Sequence, residues 1–154
     1  MAEKLFEGGY NILNKMDPIH SYRETQIKTA TPGKLIVMLY DGAIKNINLA
    51  LEKIEKKYQA YEQVSNFIIR AQDIITELMV SINFEKGGEI AKNLFSLYMY
   101  MNRKLLDANI KKDQKALEEV KKHLVELRSA WAEIANKAGT EQNQNNTSSI
   151  NIAG

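Results

Sequence analysis

Two histidines, a diglycine and a set of paired lysines are the residues of this chain that could carry chemistry. His123 follows Lys121 and Lys122 in a helical stretch, and an exposed helical histidine beside lysine can accept a phosphoryl group. The run Leu124-Val125-Glu126 that follows lacks the lysine one turn on and the glycine after it that phosphotransfer bundles carry. The plainer reading of His123 is a solvated histidine beside the apolar Leu124. A di-metal carboxylate centre in a helical bundle needs Glu-x-x-His on facing helices. Three residues before His123 stands Val120, and three before His20 stands Asp17, next to Pro18. The His-x-x-x-His spacing of zinc hydrolases is also missing. With no cysteine, disulfides, thiolate zinc sites and iron–sulfur clusters are excluded. Gly87-Gly88 lacks the Gly-x-x-x-x-Gly-Lys spacing of a phosphate loop and reads as a turn between helices. No Ser/His/acid arrangement stands out. The chemistry therefore points away from an enzyme, with no metal and no cofactor.

The elements that must position any site are helical. Only Pro18 and Pro32 occur, and from Pro32 to about Ala138 the apolar residues recur at three- and four-residue steps. Thr31 can cap a helix whose first position is Pro32. Ile36, Tyr40, Ala43, Ile47, Ala50 and Ile54 form its inner face. Val64, Ile68, Ala71, Ile75, Leu78 and Ile82 form a second, and Ile90, Leu94, Leu97, Met101, Leu105 and Ala108 a third. The fourth runs Leu117, Val120, Leu124, Leu127, Trp131 and Ile134, the 3-4 spacing of antiparallel bundles. The spacing predicts helices over about 32–58, 61–84, 88–110 and 113–138, with the first break near Gln59. The fold class is all-α: an antiparallel four-helix bundle over 31–138. An N-terminal segment, 1–30, is mobile or packed over a groove, and a polar tail, 139–154, is disordered. The weak break near Gln59 also allows an opened, swapped homodimer.

Composition fits a single domain with a real core. Of 154 residues, 44% are hydrophobic and 26% charged, with a net charge of +2. So balanced a charge gives no basic stripe for nucleic acid. No stretch approaches the roughly 18 apolar residues of a membrane span, and Glu3, Lys4 and Glu7 break any secretory signal. The expected location is the cytoplasm, with no membrane insertion.

A bundle helix needs one apolar stripe. At 100° per residue, helix three shows a second: Phe95, Met99, Leu106 and Ile110, interrupted by Asn102 and Arg103. Helix one carries Leu35, Met38, Gly42 and Leu49 on its back, and helix two adds Ile69 and Val80. A continuous apolar stripe implies a cover. Leu5, Phe6, Tyr10, Ile12 and Leu13 of the N-terminal segment, a second subunit, or an amphipathic helix of a partner could each supply it.

Four stretches, in order and correctly spaced, resemble the flagellin export chaperone (FliS) family. They are Tyr22 onward through Ala30-Thr31-Pro32 into Leu35-Ile36-Val37-Met38-Leu39-Tyr40-Asp41-Gly42, then Glu85-Lys86-Gly87-Gly88-Glu89, then Leu97 to Asp113, then Glu118-Glu119-Val120 leading to Ala130-Trp131. The resemblance covers roughly 19–135. It implies a cytoplasmic chaperone that wraps the disordered C-terminal segment of flagellin around a four-helix bundle. Binding would block premature polymerisation and keep the subunit ready for type III export. It further implies that the complex docks on the export-gate membrane protein through an Ile-x-x-Tyr element, here Ile19 and Tyr22. Two departures stand out. Residues 1–18 make a longer leader than the family carries, and Met99 replaces an acid in the third helix, which makes the outer stripe more apolar.

Overall fold

The computed structural model describes the backbone of residues 32–153 and the side chains of residues 32–137. Helix α1 spans Pro32–Ile54, α2 Tyr61–Ser81, α3 Phe84–Lys111 and α4 Gln114–Ala153. Each runs antiparallel to the next, and a ring results: α1 packs on α2 and α4, and α3 packs on α2 and α4. No described helix is long and apolar enough to cross a membrane.

The turns follow from local chemistry. After Ile54 the chain leaves the helix, Lys57 takes φ 58°, and a 3-10 turn over Lys57–Ala60 leads into α2. The Asn83 side chain caps α3 by accepting from the Lys86 amide at 3.0 Å. Gly88 then kinks α3 at φ 55°, ψ −130°. This is the mirror image of an extended conformation, open in practice only to glycine. At the far end Lys112 sits in the left-handed region at φ 52° and closes α3. Asp113 Oδ1 then accepts from the amides of Lys115 (3.0 Å) and Ala116 (3.3 Å) to start α4.

The inner faces of α1 and α2 are buried at every position the periodicity marks. Helix α3 differs. Its core residues are Ala91, Tyr98, Met101, Leu105 and Ala108, while Ile90 is exposed and Leu94 and Leu97 are half-buried. Ile90 lies in the first turn after the Gly88 kink. Tyr98 enters the core because its hydroxyl hydrogen bonds that of Tyr40 on α1. The rings sit 6.5 Å apart at 48°, and the Trp131 side chain on α4 also bonds Tyr40. Burial pushes the Tyr40 phenol up to about 12, and burial raises Tyr98 further. On α4, Leu117, Val120, Leu124 and Trp131 are buried, Leu127 is partly buried and Ile134 is exposed.

Two boundaries differ from the periodicity. Helix α3 begins at Phe84, four residues before 88, because Asn83 caps it ahead of the glycine kink. Helix α4 continues past Gly139 to Ala153, across the stretch whose composition suggested a disordered tail. No proline follows Pro32, and a lone glycine costs a helix only about 1 kcal/mol, so no local signal stops it. The segment 1–30 lies outside the described residues.

A Cβ at Gly88 would meet nothing within 4 Å, so its φ alone sets the cost of a side chain there. Gly88→Ala is expected to destabilise the bundle by about 1–3 kcal/mol. A urea titration monitored by circular dichroism measures it, and an unchanged midpoint would refute the turn's dependence on glycine.

Candidate functional site

The four seams between helices are held in different ways. Between α3 and α4 the contacts are ionic. Tyr100 donates its hydroxyl to Glu119 at 2.8 Å, and Lys104 pairs with the same carboxylate at 3.0 Å. His123 Nε2 lies 3.9 Å from Glu119, with the ring edge-on to Tyr100. His123 is thus a residue of the α3–α4 seam. The Tyr100 hydrogen bond, then Lys104, holds the Glu119 carboxyl below its usual range. Between α1 and α4, Arg128 pairs with Asp41 at 2.7 Å.

The α2–α3 seam carries a ladder of neutral groups ending in one lysine. Ser65 donates to Asn109 Oδ1 at 2.9 Å, and Lys112 Nζ donates to Ser65 Oγ and to the Asn109 carbonyl, each at 2.7 Å. The Lys112 ammonium also lies 5.7 Å from the centre of the Tyr61 ring. Further along, Gln72 Nε2 donates to the Asn102 carbonyl at 3.1 Å, and Asn102 Nδ2 donates to Thr76 Oγ1 at 3.2 Å.

Apolar residues lie on both sides of this ladder. Inside are Ile68, Ile75, Met101 and Leu105, fully buried. Outside, Ile69 and Val80 on α2 are 47% and 63% exposed, and Met99, Leu106 and Ile110 on α3 are 41%, 51% and 73% exposed. Phe95 is half-buried and stands edge-on to the exposed Phe84, with centroids 5.4 Å apart. The cross-links 65–109 and 72–102 fix the antiparallel register. In that register Ile69 lies level with Leu106, and Val80 level with Phe95. Six of the expected groove residues (Ile69, Val80, Phe95, Met99, Leu106 and Ile110) therefore share one face.

The three expected residues of α1 lie elsewhere. Gly42 lets α1 approach α2 so closely that a Cβ there would stand 3.2 Å from Ile74 Cδ1. Met38 (exposed) and Leu49 (half-buried) flank this contact on the α1 side of α2. The exposed Asn66, Arg70 and Asp73 separate them from the α2–α3 face. Leu35 is buried but is not part of the core cluster. Ile19 and Tyr22 lie outside the described residues. Phe84 belongs to the α2–α3 face but escapes a reading that starts helix three at 88, because it is the kink at Gly88, and not helical spacing, that folds it back against Phe95. Among the described residues no group of three or more His, Cys, Asp or Glu side chains could hold a metal ion.

The family model of the flagellar protein FliS matches residues 15–138. The flagellar secretion chaperone FliS of Bacillus subtilis is 38% identical over 115 residues, covering 75% of this chain and 84% of that protein. The FliS chaperone of Salmonella typhimurium is 37% identical over 126 residues, 79% of this chain and 89% of its own. That of Campylobacter jejuni is 32% identical over 123 residues, 80% and 94%.

The ionic and the neutral seams should respond differently to acid. A carboxyl whose folded pKa is depressed adds stability above its unfolded pKa and loses it as pH falls through the folded value. Stability should therefore decline from about pH 4.5 downward, and Glu119→Gln should flatten that decline. Melting temperatures of both proteins between pH 6 and pH 3 test this, and parallel curves would remove Glu119 from the account.

Proposed function

The chain belongs to the FliS family of flagellar proteins, and from that membership we propose that it is a cytoplasmic export chaperone for flagellin. It captures the disordered C-terminal segment of flagellin, prevents premature polymerisation and delivers the subunit to the export-gate membrane protein. The α2–α3 face receives the segment. The observation that carries this reading is the polar ladder, which leaves an apolar stripe outside the bundle's own interior.

The physics is that of an amphipathic segment on a preformed groove. Burying an exposed leucine-sized side chain contributes about 1.5–3 kcal/mol, and several such anchors can offset the entropy lost when a disordered tail is ordered. The rigid bundle contributes little to that entropy cost. Met38 and Leu49, across α2, offer further contact to a segment long enough to wrap. Docking on the export gate falls to Ile19 and Tyr22, ahead of α1 in the sequence, so capture and delivery separate along the chain.

Phe95→Asp or Leu106→Asp should weaken binding of the flagellin C-terminal segment at least about 100-fold, as loss of a central anchor does, while helical content and cooperative melting persist. Calorimetric titration measures the affinity. An unfolded variant would assign those residues to the core and remove the groove. Tyr22→Ala should impair export of flagellin in cells with its affinity unchanged, and loss of flagellin binding by that variant would contradict the separation of roles.

A further inference from the structure

The middle of the α2–α3 groove is polar, and one of its atoms is unpaired. Asn102 Oδ1 is buried and has no hydrogen-bond partner among the described residues. The orientation of the amide follows from its neighbours. Thr76 Oγ1 donates its proton to the Gln72 carbonyl at 2.9 Å, so toward Asn102 it can only accept. Asn102 Nδ2 meets that need, and lies 3.7 Å from Met79 Sδ, another acceptor. The nitrogen therefore faces α2, and the oxygen is the end left without a partner; it lies beneath the groove surface, where a client's donor reaches it only as the side chains above it shift aside. A buried acceptor without a donor is costly, and natural proteins retain few.

The position of that oxygen gives it a use. Phe95 and Leu106 stand eleven residues apart on α3, about 16 Å along the helix. Asn102 lies between them, flanked on its own helix by Met99 and Leu106, both exposed. Anchors at the two ends leave Asn102 under the centre of any segment laid along the groove. Resting on the groove reading above, we infer that Asn102 is a specificity-determining residue for that segment. The client is an amphipathic stretch of the flagellin C-terminal segment whose apolar anchors lie about three helical turns apart. Between them, on the same face, it carries a neutral amide or hydroxyl that donates to Asn102 Oδ1. An apolar residue at that point would leave the oxygen unpaired, so the groove rejects uniformly greasy segments.

The test is calorimetric titration of the full chain with the flagellin C-terminal segment, using Asn102→Leu, Asn102→Gln and Leu106→Asp. Asn102→Leu removes the acceptor and should weaken binding about tenfold or more, with helical content and cooperative melting retained. Asn102→Gln keeps both the amide donor that Thr76 needs and an amide oxygen, and should bind more tightly than Asn102→Leu. If Asn102→Leu binds as wild type while Leu106→Asp does not, the groove stands and the role of Asn102 is overturned. If Leu106→Asp also binds as wild type, the groove reading itself falls, and this inference with it. Should the leucine variant not fold, the glutamine variant decides: affinity near wild type sustains the inference, and a loss matching Leu106→Asp overturns it.

Discussion

The ladder from Ser65 to Asn102 divides the apolar surface of α2 and α3 in two. Had the seam been apolar, Ile69, Leu106 and Phe95 would extend the core outward, and the two helices would splay to share them. Hydrogen bonds of fixed length instead hold the helices close and keep the outer side chains from sinking between them. The other two cross-linked seams use full charges, Glu119 with Lys104 and Asp41 with Arg128. Charged groups would repel an apolar segment from those faces, through the cost of taking them out of water. The one cation of the α2–α3 ladder, Lys112, is drawn to its end and satisfied by Ser65 and Asn109.

An exposed apolar stripe carries a hazard of self-association. Here the stripe is interrupted. Arg103 and Asp107 on α3, and Arg70 and Asp73 on α2, are exposed along its rim. Isolated charges at the margin cost a docked segment little, because they stay in water, yet they disfavour face-to-face pairing of two copies. The same arrangement explains how the chain can offer a groove while carrying a net charge of only +2.

Much of this was legible in the sequence. The inner faces of α1 and α2 are strictly periodic, and each residue they mark is buried. The outer stripe of α3 was legible for the same reason: an apolar residue at the wrong phase is as informative as one at the right phase. Phase errors arose where more than one apolar residue competes for the seam. Ala91 keeps the seven-residue phase of Tyr98 and Leu105 and goes in, while Ile90, in the first turn after the Gly88 kink, stays out. Tyr98 was missed because a hydroxyl counts against burial unless its partner is known, and that partner lies 58 residues away. The grouping of site residues failed on α1 for a further reason. Periodicity reports which way a residue points from its own helix, but not which neighbour it points toward. Met38 and Leu49 face outward, yet on the far side of α2.

Helix α3 poses the sharpest choice, since it offers two stripes to one interior, roughly 120° apart around the helix at 3.6 residues per turn. The outer set, Phe95, Met99, Leu106 and Ile110, rivals the inner set of Ala91, Tyr98, Met101, Leu105 and Ala108, which Leu94 and Leu97 extend against the core. Hydrophobicity alone does not decide between the two stripes. Three features fix the observed rotation. Ala91 and Ala108 are small, and their side allows a close approach that Phe95 and Ile110 would prevent. Asn102 must face α2 to reach Thr76 and to receive Gln72 at its carbonyl. Tyr98 must face inward to pair with Tyr40, because the pair satisfies two phenols that burial would otherwise strand. Polar groups thus set the rotation of α3 between two apolar stripes. What that rotation leaves outside is the surface on which a client segment can lie.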